Sequence, residues 1–151
     1  MPEETIRLHG RCLCGSVEIS ADEASRNVGA CHCNMCRRWT GGPLLLVDCG
    51  DEIALKGADN VSFHQTSELG ERAFCSNCGS GLYYRYFDNN KYFVPAGLFD
   101  FDGFNFDHQI FIDEKPSYYC FSNETKNMTG REFCNLRHGK EEIETLDGYC
   151  P

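Results

Sequence analysis

The chain of 151 residues opens without an apolar run, since Met1 to Gly10 is polar with isolated apolar residues. No secretory signal peptide is therefore expected. No apolar stretch approaches the roughly 20 residues needed to span a bilayer, so no membrane partner is expected. Positive charge is short: 14 Lys and Arg stand against 23 Asp and Glu, a formal net charge of −9. That balance argues against nucleic acid, whose binding rests on clustered Lys and Arg. Long stretches of helical periodicity, internal repeats and linkers are also missing. What remains is one domain over 1–151, mainly β, in short strands with frequent turns. Without an export signal the expected compartment is the cytoplasm, which is reducing and disfavours disulfides. There the triplets Asn123-Glu124-Thr125 and Asn127-Met128-Thr129 carry no glycosylation meaning.

Cysteine is the opposite case, with 11 in the chain. In a reducing compartment such density reads as metal binding. Cys31-His32-Cys33-Asn34-Met35-Cys36, followed by Arg37 and Arg38, places three thiols within six residues. Three sulfurs this close can reach one tetrahedral metal and leave its fourth position to water, to substrate or to a distant residue. His9, His64 or His108 could supply that residue. His32 is expected to lie beside the metal without ligating it, or to face solvent. Arg37 and Arg38 could be plain surface charges, could lower neighbouring thiol pKa values, or could hold a substrate carboxylate.

Cys75-Ser76-Asn77-Cys78-Gly79 reads as half of a four-thiolate site on a tight turn, where glycine supplies the positive φ. Cys12-Leu13-Cys14-Gly15 can supply the other half, with both sulfurs on one side of a strand that continues through Val17 and Ile19. Four thiolates from two small turns would pin two remote strands together. Separate sites are expected rather than one shared two-metal cluster. Of the remaining cysteines, Cys49 fits a small core hydrophobe. Cys134, His138 and Cys150 are loosely spaced for a third site, and Cys120 stands alone.

The expected strands are Thr5 to Leu8, Leu44 to Val47, Ile53 to Lys56, Val61 to Gln65, Gln109 to Ile112 and Tyr118 to Phe121. Leu82 to Phe87 and Lys91 to Val94, around Asp88-Asn89-Asn90, read as a hairpin. Ala21 to Asn27 reads as a loop or a short turn of helix, and Phe99 to Asp107 as a loop. Gly41-Gly42-Pro43 ends any helix that follows Cys36. Phe133 to Leu136 and Ile143 could pack.

These motifs carry a family resemblance. Gly10-Arg11-Cys12-Leu13-Cys14-Gly15, Cys31 to Arg38 with Gly41-Gly42-Pro43, Ser67, and Arg72-Ala73-Phe74-Cys75-Ser76-Asn77-Cys78-Gly79-Ser80 resemble the glutathione-dependent formaldehyde-activating enzyme family. That family includes the centromere-protein-V-like proteins and has the Mss4-like fold. The resemblance runs from about Gly10 to Tyr119, and residues 122–151 form a C-terminal extension. His108 to Ile112 with Lys115-Pro116-Ser117 stands where the family has its late strand, and Tyr118 stands where a Trp is common. The resemblance implies coiled antiparallel β-sheets with zinc-ribbon-like knuckles and two Zn²⁺ per chain. Cys12, Cys14, Cys75 and Cys78 would hold the structural zinc. Cys31, Cys33 and Cys36 would hold the catalytic one. The implied activity is that of a carbon–sulfur lyase joining glutathione to formaldehyde as S-hydroxymethylglutathione, with Arg37 or Arg38 facing a glutathione carboxylate. The rival is a non-catalytic zinc scaffold that binds a protein partner.

Overall fold

The computed structural model describes residues 4–138. Eleven strands and two short helices follow in chain order: β1 (Thr5–Arg11), β2 (Glu18–Ser25), β3 (Asn27–Cys31), α1 (Asn34–Thr40), β4 (Leu44–Asp48), β5 (Ala54–Lys56), β6 (Val61–Ser67), β7 (Gly70–Cys75), β8 (Gly81–Tyr86), β9 (Tyr92–Pro95), β10 (Asn105–Ile110), β11 (Lys126–Asn127) and α2 (Gly130–His138). Among these residues no helix is long and apolar enough to cross a membrane.

The strands form a three-stranded sheet, β1-β2-β5, and an eight-stranded sheet, β11-β10-β3-β4-β9-β8-β7-β6. The mainly β expectation holds. Most pairs are antiparallel, but β10 runs parallel to both β3 and β11. The hairpin of β8 and β9 forms around Asp88-Asn89-Asn90 as its aromatic flanks indicate.

Some readings change, and the loop expected over Phe99 to Asp107 already enters β10 at Asn105. Ala21 to Asn27 is no loop: most of it belongs to β2, whose register with β1 shifts between Ile6 and Leu8. In this stretch the buried positions are the small Ala21 and Ala24, separated by the exposed Asp22 and Glu23, so the apolar alternation is faint. Tyr118 to Phe121 is irregular rather than a strand, and within it the Tyr119 hydroxyl meets His32.

One core joins the two sheets, with Val17, Ile19, Val47, Cys49, Ala73, Leu82 and Val94 fully buried. Cys49 is thus a core residue, and burial pushes its thiol up to about 12. A second, smaller core gathers Cys31, Cys33, Cys36, Leu44, Phe111 and Cys134, with Phe133 against it. The extension therefore contributes to packing through β11 and α2. Cys134 is disulfide-bonded, which departs from the expectation of reduced thiols and leaves it no ligand role. Ile143, Cys150 and the side chain of His138, named above for packing or for a third site, lie outside the described residues.

Candidate metal centres and a thiol-lined cavity

Two thiol clusters form, as the spacing indicates. In the first, the sulfurs of Cys12, Cys14, Cys75 and Cys78 lie within 4.8 Å of one another. Cys12 and Cys14 do not share a strand face, because the chain leaves β1 at Arg11 and turns. The Gly15 N–H donates to Cys12 O at 3.1 Å, and the Gly79 N–H donates to Cys75 O at 2.7 Å. Both glycines sit at nearly the same positive φ, and the second turn is longer than the first by one residue. Cys12 and Cys14 sulfurs are 3.6 Å apart, and Cys14 and Cys75 sulfurs 3.8 Å. A tetrahedron with metal–sulfur bonds of about 2.3 Å has edges of about 3.8 Å. The cluster fits a metal ion on that ground.

Hydrogen bonds stabilise negative charge on its sulfurs. The Val17 N–H donates to Cys12 Sγ at 3.3 Å, and Asn77 Nδ2 donates to Cys14 Sγ at 3.2 Å. The bond with Ser80 chiefly draws the Cys78 thiol down to about 5. The bond with Ser16 chiefly draws Cys14 to about 7. Both shifts favour the thiolate, the form that binds metal.

The second cluster is Cys31, Cys33 and Cys36, again within 4.8 Å and all buried. Cys31 is the last residue of β3. Cys33 caps α1, its sulfur accepting the Cys36 N–H at 3.3 Å. The turn into α1 therefore directs all three sulfurs to one point. Arg72, remote in sequence on β7, is 4 % exposed and donates Nη2 to Cys36 Sγ at 3.5 Å. Its guanidinium lies between Trp39 and Tyr84, at 5.7 and 5.0 Å from the ring centroids. Hydrogen bonds from Cys31 and Cys33, reinforced by Arg72, hold the Cys36 thiol well below its ordinary range. Cys31 is pushed well up, chiefly by its bonds to Cys33 and Cys36. Negative charge in the trio thus concentrates on Cys36.

His32 does not face solvent. It is fully buried, and neither ring nitrogen is open to a metal. Nε2 donates to Gln109 Oε1 at 2.8 Å, and Nδ1 accepts the Tyr119 hydroxyl at 2.9 Å. Burial pushes its pKa down, so the ring is neutral at pH 7. Gln109 Nε2 passes the chain on to Thr125 Oγ1 at 2.8 Å. No histidine joins either cluster among the described residues. His9 meets Ser20 and Glu18, His64 lies on β6, and His108 holds Asp107 at 2.5 Å.

The three-thiol cluster opens onto a cavity of about 490 Å³, lined also by Arg72, Lys91 and His108. None of the four-thiol cluster lines it, so one cluster is tied to strand ends and the other faces free space. Arg37 and Arg38 lie on α1, outside the ring of lining residues. Arg37 Nε donates to His32 O at 3.0 Å, and Arg38 is exposed. Arg72 gives no sign of itself in the sequence as a site residue, although it stands three residues before Cys75. A lone cation has no spacing signal, and only the β7–β8 pairing aims it.

These features define a class: a mainly β protein with two thiol clusters able to hold metal ions, one of them beside a cavity. Comparison with known sequences narrows it. The chain belongs to the glutathione-dependent formaldehyde-activating enzyme family, whose model matches residues 7–114. An uncharacterized lyase of Schizosaccharomyces pombe is 36 % identical over 131 residues, covering 85 % of this chain and 93 % of its own. A putative glutathione-dependent formaldehyde-activating enzyme of Halomonas elongata is 32 % identical over 85 residues, covering 50 % of this chain and 54 % of its own. A crystal structure of a Rhodobacter sphaeroides protein shares the fold, with a TM-score of 0.52 at 24 % identity, covering 64 % of this chain and 90 % of that one.

Proposed function

We propose that this chain is a cytoplasmic zinc-dependent carbon–sulfur lyase that forms and cleaves a thiol–aldehyde adduct such as S-hydroxymethylglutathione. Cys12, Cys14, Cys75 and Cys78 hold a structural Zn²⁺, and Cys31, Cys33 and Cys36 a catalytic one. The carrying observation is that the three-thiol cluster lines a cavity large enough for a small molecule, while the four-thiol cluster does not. Family membership and the lyase named in Schizosaccharomyces pombe support the reaction class.

A zinc ion held by three thiolates would supply Lewis acidity toward a thiol sulfur or a carbonyl oxygen. The chain's own groups prepare that place. Arg72 offsets the charge concentrated on Cys36. His32, locked between Gln109 and Tyr119, fixes the backbone between Cys31 and Cys33. Leu44, Phe111 and Phe133 pack against the trio and limit water. Lys91 at the cavity's polar end is paired with Asp48 at 2.9 Å. Arg37 and Arg38 on α1 are the cations we assign to a glutathione carboxylate reaching out of the cavity.

The test is zinc content together with S-hydroxymethylglutathione turnover, followed by exchange NMR with glutathione and formaldehyde. Two zinc ions per chain and accelerated exchange are expected. Two zinc ions with exchange at the spontaneous rate would leave a scaffold instead.

A further inference from the structure

The cavity beside the three thiols has two chemically different ends. Its floor is one face of the eight-stranded sheet. On β3 that face presents Asn27, Gly29 and Cys31, alternate residues that run the length of the strand. Around Asn27 the lining is polar, with Lys91 paired to Asp48 and His108 hydrogen-bonded to Asp107. Around Cys31, apart from the thiols and Arg72 behind Cys36, it is apolar. Met35 comes from α1, Phe111 from the end of β10, and Met128, Phe133 and Leu136 from the C-terminal segment.

That apolar wall is built, not incidental. Phe111 holds a left-handed backbone with positive φ, uncommon for a bulky residue and a sign of constraint. Its ring lies against Gly130, where any Cβ would come within 2.5 Å of it. The Gly130 N–H donates to Asp113 Oδ1 at 2.9 Å, and the Ile112 N–H donates to Met128 O at 3.0 Å. The start of α2 is thus fastened to the segment that carries Phe111. Leu136 stands at the wall with 66 % of its surface exposed. Met128, Phe133 and Leu136 lie beyond residues 7–114, so their side of the wall is outside the family match.

Formaldehyde has no use for such a wall. It is little larger than a water molecule, whose share of liquid volume is about 30 Å³. The polar groups of a thiol substrate suit the lining around Asn27 and the cations of α1, and neither place fills the apolar end. We propose that the carbonyl partner is an aldehyde with an apolar substituent of several carbons, seated among Phe111, Met128, Phe133 and Leu136. The inference rests on the lyase reading above. The reaction balances without a further reagent: the thiol sulfur bonds to the carbonyl carbon, and the thiol proton ends on the carbonyl oxygen. Cleavage reverses both.

Two measurements on the full zinc-loaded chain test it. Calorimetry with S-methyl-, S-butyl- and S-hexylglutathione, which are unreactive thioethers, reads the wall without turnover. Affinity should rise by up to about fourfold per buried methylene. Exchange NMR with glutathione should give a higher kcat/KM for hexanal than for formaldehyde. Phe133→Ala should lower that hexanal-to-formaldehyde ratio about tenfold, and Leu136→Asp should lower it too. A flat thioether series with turnover of formaldehyde alone overturns the inference and keeps the lyase. A rising series without turnover of any aldehyde keeps the apolar subsite and overturns the lyase. If Phe133→Ala fails to fold, the thioether series on the unaltered chain decides.

Discussion

Arg72 and Cys36 are 36 residues apart, yet the guanidinium donates directly to the thiol, 3.5 Å from nitrogen to sulfur. The pair joins the far strands of the large sheet to the three-thiol cluster on α1. A hydrogen bond to a charged group contributes about 1.5–3 kcal/mol, or roughly ten- to hundredfold in an equilibrium constant. Arg72→Met should therefore weaken metal binding at Cys31, Cys33 and Cys36 by that factor. Competition with a chromophoric chelator reads it, and the four-thiol cluster serves as the internal reference. Equal loss at both clusters would mean that Arg72 acts on the fold at large.

His32 predicts a pH effect with a definite sign. Burial depresses its folded pKa below the ordinary 6.5, so the folded chain keeps the ring neutral where the unfolded chain protonates it. The unfolded state then binds more protons, and stability is lost as pH falls below 6.5 toward the folded pKa. His32→Phe removes this part of the slope. It also strands the buried Gln109, at about 1–3 kcal/mol. Melting curves between pH 7.5 and 5.5 should show a lower but flatter dependence for the variant. Parallel curves would rule out His32 as a source of the slope.

Gly57 holds the first thiol turn in place. Its φ is positive, and a Cβ there would stand 1.9 Å from Ser16 O, backbone that cannot step aside. Gly57→Ala should cost more than about 2 kcal/mol, since strain and clash add. The melting temperature should drop by several degrees, with weaker zinc retention at Cys12 and Cys14. An unchanged melting temperature would show that the Ser16 turn moves freely.

These sites are unequally legible in the sequence. The thiol clusters can be read because their ligands come in short local groups, Cys12 with Cys14, Cys31 to Cys36, and Cys75 with Cys78. The strand reading of Cys12 and Cys14 fails for a local reason: spacing by two suits a strand face and a tight turn alike, and the bond from Gly15 to Cys12 selects the turn. The second half of β2 is hidden because alanines, Ala21 and Ala24, fill its buried positions. Arg72, Gln109 and Tyr119 are illegible as site residues, since each reaches its place through pairings of 36, 77 and 87 residues' separation. The wall made by Phe111 and Phe133 depends on α2 docking, for which the sequence has no periodic signal of length.

The two thiol clusters are expected to do different work, one stapling strands and the other serving chemistry. The most direct test is to melt Cys33→Ser and Cys75→Ser side by side, zinc-loaded. A structural zinc contributes on the order of 10 kcal/mol to folding, comparable with a whole domain's stability, so Cys75→Ser should be largely unfolded. Cys33 caps α1 through its sulfur, and a serine hydroxyl keeps that cap. Cys33→Ser should melt within several degrees of the unaltered protein while losing one zinc and all S-hydroxymethylglutathione turnover. If it melts as low as Cys75→Ser, the three-thiol cluster is a staple too, and the account of a catalytic centre fails.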